Sequence, residues 1–136
     1  MASMAADVLA TIVVPLTPSP VLSPNARVHW AKRAKQAGLC RTAAAMATTE
    51  TLDRDARKAI ADVPHIGYRI EIHWEPGRRG VRDEDNALSS CKAILDGIAD
   101  SLGIDDSRLH VRGIVGNKQT RRGVTIVTLL DDGGDQ

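Results

Sequence analysis

Between His65 and Trp74 every second residue is large and apolar: Ile66, Tyr68, Ile70, Ile72 and Trp74, with His65, Arg69, Glu71 and His73 falling on the other side. A period of two belongs to a strand with one face in a core, because successive side chains leave opposite sides of a sheet. Such a strand needs a covering layer, and the chain supplies candidates for it. Residues 27–61 hold no Pro, only Gly38, and abundant Ala, Lys and Arg. That predicts a long helix or a bent pair, with Asn25 near its start as a cap. A second helix is predicted over 85–102, where Leu88, Cys91, Leu95, Ile98 and Leu102 recur by threes and fours and Gly103 follows. Residues 8–16 are rich in β-branched side chains and read as a strand closed by Pro15; the three prolines of 17–24 make a loop. Residues 108–115 and 123–130 read as two strands, joined by 116–120 most simply as a hairpin. The expected fold is a single α/β domain with a mixed β-sheet of about four strands and two main helices. We place the domain at 7–130 and read the acidic, Gly-containing 131–136 as a disordered tail.

At 136 residues the chain is long enough for one real core. Lys+Arg number 18 against Asp+Glu 17, so bulk charge names no partner. The distribution is more informative. Arg27, Lys32, Arg33, Lys35 and Arg41 form one basic run, Arg78, Arg79 and Arg82 a second, and Arg108, Arg112, Lys118, Arg121 and Arg122 a third. Basic patches around an acidic centre are compatible with DNA binding, although plain solvated surface uses the same residues. Two Trp, one Tyr and no Phe rule out aromatic stacking as the main mode of nucleic-acid contact. Cys40 and Cys91 form no CxxC and have no His at ligand spacing, which fits reduced thiols. No apolar run reaches 18 residues and the start lacks a signal-peptide pattern, so a cytoplasmic protein is expected.

The chemistry concentrates between Arg78 and Asp106. Arg78, Arg79 and Arg82 lead into Asp83-Glu84-Asp85-Asn86; Lys92, Asp96-Gly97 and Asp105-Asp106 follow. In an extended segment Asp83 and Asp85 point to one side. At about 100° per residue, Asp85, Ser89, Lys92 and Asp96 share a helix face away from the apolar stripe. Convergent carboxylates approached by arginines suit a hard divalent cation facing a phosphodiester. The plainer reading of Lys92 is a surface ion pair with Asp96 at i+4. A calcium-loop reading fails, since Ala87 and Leu88 stand where an oxygen ligand and Gly are required.

These residues resemble the RusA family of Holliday junction resolvases, whose signature is Asp-x-Asp-Asn, a downstream Lys, an Asp opening Asp-Gly or Asp-Ala, and an Asp-Asp after the helix. Here they are Asp83-Glu84-Asp85-Asn86, Lys92, Asp96-Gly97 and Asp105-Asp106. The strand, Pro-rich loop, Asn25 and basic helix start are similar too, so the resemblance spans most of 8–130. Ser89 stands where the best-known members carry the Lys; Lys92 lies about one turn further along the same face. The resemblance implies a homodimer that binds a four-way DNA junction and nicks two opposed strands with Mg²⁺, or Mn²⁺. It implies Asp83, Asp85, Asp106 and Lys92 as catalytic residues, with Asp83, Asp85, Asp106 and Asp105 as metal ligands. Arg27, Lys32, Arg33, Arg78, Arg79 and Arg82 are the expected DNA contacts. A catalytically silent branched-DNA-binding protein and a nuclease of broader branched-DNA choice are the alternatives.

Overall fold

The computed structural model describes residues 7–18, 22, 27, 29–75, 88–119 and 122–133. Strand β1 (Asp7–Val14) is followed by helices α1 (Trp30–Thr51) and α2 (Arg54–Ala61), strand β2 (Ile66–Trp74), helix α3 (Lys92–Leu102), a 3₁₀ turn (Asp106–Arg108), and strands β3 (Leu109–Gln119) and β4 (Val124–Asp131). The four strands make one mixed sheet in the order β1-β4-β2-β3, with β2 and β3 parallel and the other pairs antiparallel. The expected α/β domain with a mixed four-stranded sheet is the observed fold.

One sheet face carries the core. The alternation of β2 holds, with Ile66, Tyr68, Ile70, Ile72 and Trp74 all buried. In register with them stand Thr125, Val127 and Leu129 of β4, and these in turn pair with Val14, Ile12 and Ala10 of β1. The α3 stripe of Leu95, Ile98 and Leu102, widened by Ile94, covers this face, and Cys40 and Ala44 of α1 join the same cluster. On the opposite face Thr11, Val13 and Arg69 are exposed.

Three expectations are corrected: the hairpin, the residue that caps the basic helix and the start of the tail. β3 and β4 do not form a hairpin: β4 lies between β1 and β2, and β3 takes the outer edge beside β2. Composition accounts for this, because Val-Thr-Ile-Val-Thr-Leu-Leu suits a strand paired on both sides. The Leu-His-Val-Arg-Gly-Ile-Val-Gly-Asn-Lys-Gln of β3 carries two glycines and polar residues tolerated at an edge. The basic helical stretch is the bent pair, interrupted at Leu52–Asp53. It begins at Trp30 with the His29 ring as cap, Nδ1 accepting from Ala31 N at 3.1 Å, while Asn25 lies outside the described residues. The tail does not start at Asp131, which completes β4 against Asp7 and Ile66. Asp132 is also ordered: its N donates to His65 O at 2.9 Å, and its carboxylate accepts from Arg112 Nε at 3.0 Å.

Candidate active site

Helix α3 sets the geometry. Residues 88–90 are already helical, Cys91 interrupts as a turn, and the helix resumes at Lys92. Its far end is a left-handed Gly103 (φ 73°), with Ile104 N donating to Ala99 O and Gly103 N to Asp100 O. These are the two bonds of a Schellman stop, and glycine takes the positive φ without steric penalty. The chain thereby folds back against the helix it has just left, and the 3₁₀ turn brings Asp106 to Lys92.

Lys92 Nζ donates to Asp106 Oδ2 at 2.8 Å and to Asp96 Oδ1 at 3.3 Å. The i+4 pair therefore exists, but the shorter bond crosses to the next element. The ammonium is well exposed, Asp106 is half-exposed, and the Asp96 side chain is only 20% exposed. The hydrogen bond from Lys92, then that shared with Asp96, holds the Asp106 carboxyl down to about 2. Burial, then the same hydrogen bond to Asp106, raises Asp96 from its ordinary value. Asp106 and then Asp96, by their hydrogen bonds, raise Lys92. Lys92 and Asp106 thus form an ion pair, and Asp96 holds a proton more readily than Asp106.

Two clefts meet at these residues. One of about 350 Å³ is polar and is lined by Arg41, Lys92, Asp96, Asp100, Asp105 and Asp106, with Ala99 and Ile104. The other, of about 310 Å³, runs along the β3 edge past Tyr68, Ser89, Leu109 and Val111. Together they give an open trough with an acidic centre.

Of the predicted site residues, Lys92, Asp105 and Asp106 come together, and Asp96 joins them. Asp105 Oδ1 accepts from Ser107 N at 2.9 Å, so one of its oxygens caps the 3₁₀ turn. Asp83, Asp85, Arg78, Arg79 and Arg82 lie outside the described residues. Arg27 and Lys32 are exposed and Arg33 is partly exposed. Two arginines of the third basic run serve the fold. Arg108 donates to Ala61 O at 2.8 Å and Val63 O at 2.7 Å, and Arg112 binds Asp132. His73 is buried, with Nε2 3.0 Å from Glu71 Oε1 but without hydrogen-bond geometry, and neither ring nitrogen has a hydrogen-bond partner among the described residues. Trp74 is core, whereas Trp30 is 75% exposed.

Arg41 and Asp100 were missed as site residues. Asp100 was within reach, since Lys92, Asp96 and Asp100 step by four along one helix. Arg41 comes from a distant helix and had no sequence signal beyond its basic run. As to metal, carboxylate oxygens are the donors a hard cation takes, and Asp96, Asp105 and Asp106 fit that chemistry. Among the described residues no group of three His, Cys, Asp or Glu side chains converges as a ligand set.

No family model matches the chain. A protein of Xylella fastidiosa named "Uncharacterized protein" is 37% identical over 113 residues, which cover 82% of this chain and 71% of that protein.

Proposed function

We propose, for a chain that belongs to one family with this Xylella fastidiosa protein, a metal-dependent endonuclease that resolves four-way DNA junctions. The observation that carries the reading is Lys92 Nζ held between Asp96 and Asp106 in an open trough on the sheet edge. A lysine in that position places positive charge beside an acidic centre, where it can neutralise charge that develops on a phosphate. Asp106, kept ionised by Lys92, offers oxygen donors to Mg²⁺ or Mn²⁺. The resemblance of Asp83-Glu84-Asp85-Asn86 to the RusA signature adds Asp83 and Asp85 to the donor set, with Asp105 contributing its uncapped oxygen. The bound cation supplies Lewis-acid activation of water at neutral pH. Arg27, Lys32 and Arg33, with Arg78, Arg79 and Arg82, hold the DNA backbone, and a homodimer presents two sites to the two opposed strands. The protein acts in the cytoplasm of a bacterial or phage-infected cell. Among the described residues no helix is long and apolar enough to cross a membrane.

The test is nicking of a synthetic four-way junction with Mg²⁺ and with the metal removed by chelator. Paired nicks in opposed strands, abolished by chelation and restored by Mg²⁺, are expected. Junction binding without nicking in any divalent cation would leave a silent binding protein, and equal cutting of forks and flaps would leave a broader nuclease.

A further inference from the structure

The polar cleft has a second cation. Arg41 of α1 lines the same space as Lys92, Asp96, Asp105 and Asp106, and it is fixed there twice over. Its backbone sits at the α1–α3 crossing, where α3 presents Gly97. A Cβ on Gly97 would run into the Arg41 carbonyl oxygen and lie 2.9 Å from Ala44 Cβ. Its side chain is clamped by Asp100, with Nε donating to Oδ2 at 2.6 Å and Nη2 to Oδ1 at 2.8 Å. We propose that Arg41 binds a backbone phosphate of the DNA strand entering this cleft, an inference that rests on the endonuclease reading of the site.

A guanidinium has five N–H donors, and the Asp100 clamp engages two of its nitrogens. Nη1 and its two donors have no partner among the described residues, and the side chain is 52% exposed. An exposed ion pair of this kind adds little to stability. Its consequence is orientation: the planar fork is already ordered, so a phosphate that meets it costs less side-chain entropy. Asp100 above all, then the charges of Asp96 and Asp106, favour the charged form of Arg41. The cleft therefore offers cations on two walls, Lys92 on α3 and Arg41 on α1, flanking the acidic centre. In this proposal the reacting phosphate faces Lys92 and Asp106, and Arg41, on the other wall of the same cleft, takes a different phosphate of that strand.

The experiment compares the parent protein, Arg41→Ala, Arg41→Lys and Asp100→Ala. Four-way-junction affinity is measured in Ca²⁺ across a salt series, and single-turnover nicking in Mg²⁺ at saturating protein. Arg41→Ala is expected to bind about tenfold more weakly, as for loss of one charge-assisted bond, with a salt slope smaller by about 0.9. Its nicking rate at saturating protein should fall by less than its affinity does, because the lost contact positions DNA rather than touching the reacting atoms. Arg41→Lys should fall between. Asp100→Ala removes the clamp but keeps the cation, so it should lose clearly less affinity than Arg41→Ala and keep the parental salt slope. Equal loss of affinity in Arg41→Ala and Asp100→Ala, in step with thermal stability, would make the pair purely structural and overturn the inference. Parental affinity and slope in Arg41→Ala would overturn it too. A parent protein that fails to bind junctions at all would instead bring down the endonuclease reading, and this inference with it.

Discussion

Lys92 bridges two carboxylates, and the two respond to it differently because they differ in exposure. Asp106 is half-exposed and is stabilised as an anion; Asp96 is largely covered and pays more for its charge. The linkage signs are therefore opposite. The lowered Asp106 contributes stability that is present above the ordinary carboxylate range and lost as pH falls through about 2. The raised Asp96 contributes stability present at low pH and lost as pH rises through its folded value. Replacing Lys92 with Ala removes the main cause of the Asp106 shift. Carboxyl-carbon NMR titration should then show Asp106 titrating at higher pH than in the parent; an unmoved Asp106 would deny the cross-element bond. The Asp100 carboxyl is likewise lowered by the hydrogen bond from Arg41. The difference in Tm between the parent and Asp100→Asn should shrink as pH falls through the carboxylate range, where the parent loses the same charge.

At the scale of elements, the α1–α3 crossing sets Arg41 in the same cleft as the α3 carboxylates. Gly97 is required there because the helices approach closely enough that an added methyl meets backbone. Gly97→Ala should lower stability by ~1–3 kcal/mol, the usual cost of overpacking, and should disturb the neighbouring Asp96. An unchanged denaturation midpoint would contradict so close a crossing. The break between α1 and α2 rests on a local device, Asp53 Oδ1 accepting from Ala56 N at 2.8 Å. Asp53→Ala should cost about 1 kcal/mol in chemical denaturation, as for loss of an N-cap. These elements also mark what the sequence made legible. The one-sided β2 and the stripe of α3 were readable because burial imposes its period directly on side-chain type. The placement of β4 was not: β3 and β4 are close in sequence, and the hairpin was the short-range solution. The order β1-β4-β2-β3 is set by which strand can be apolar on both flanks, a comparison among strands rather than a local pattern. The helix cap fell to His29 because its ring reaches Ala31 N, a use of histidine that cap preferences do not anticipate.

For the whole molecule, the site is the meeting point of a parallel β2–α3–β3 unit and the helix laid across it. Lys92 and Asp96 were legible from helical spacing, and Asp106 from its return after the Gly103 stop. Arg41 became visible only when 59 residues of separation from Asp100 closed into one ion pair. On the proposed reading a single Lys92–Asp96–Asp106 centre per chain would cut one strand, so paired cutting would call for a two-fold assembly. Sedimentation should give about twice the chain mass, independent of metal; a monomer that still made coordinated paired cuts would contradict the two-site account. The central claim is that Asp106, held ionised by Lys92, belongs to the metal-dependent chemistry rather than to the folding of the helix end. The most direct measurement is Mg²⁺-dependent single-turnover nicking of a four-way junction by Asp106→Asn beside the parent, with junction binding measured on the same samples. The account predicts nicking reduced on the order of 100-fold or more, as for loss of a group acting on transition-state charge, with binding retained or tightened by the lost negative charge. Near-parental nicking by Asp106→Asn, with binding intact, would contradict it.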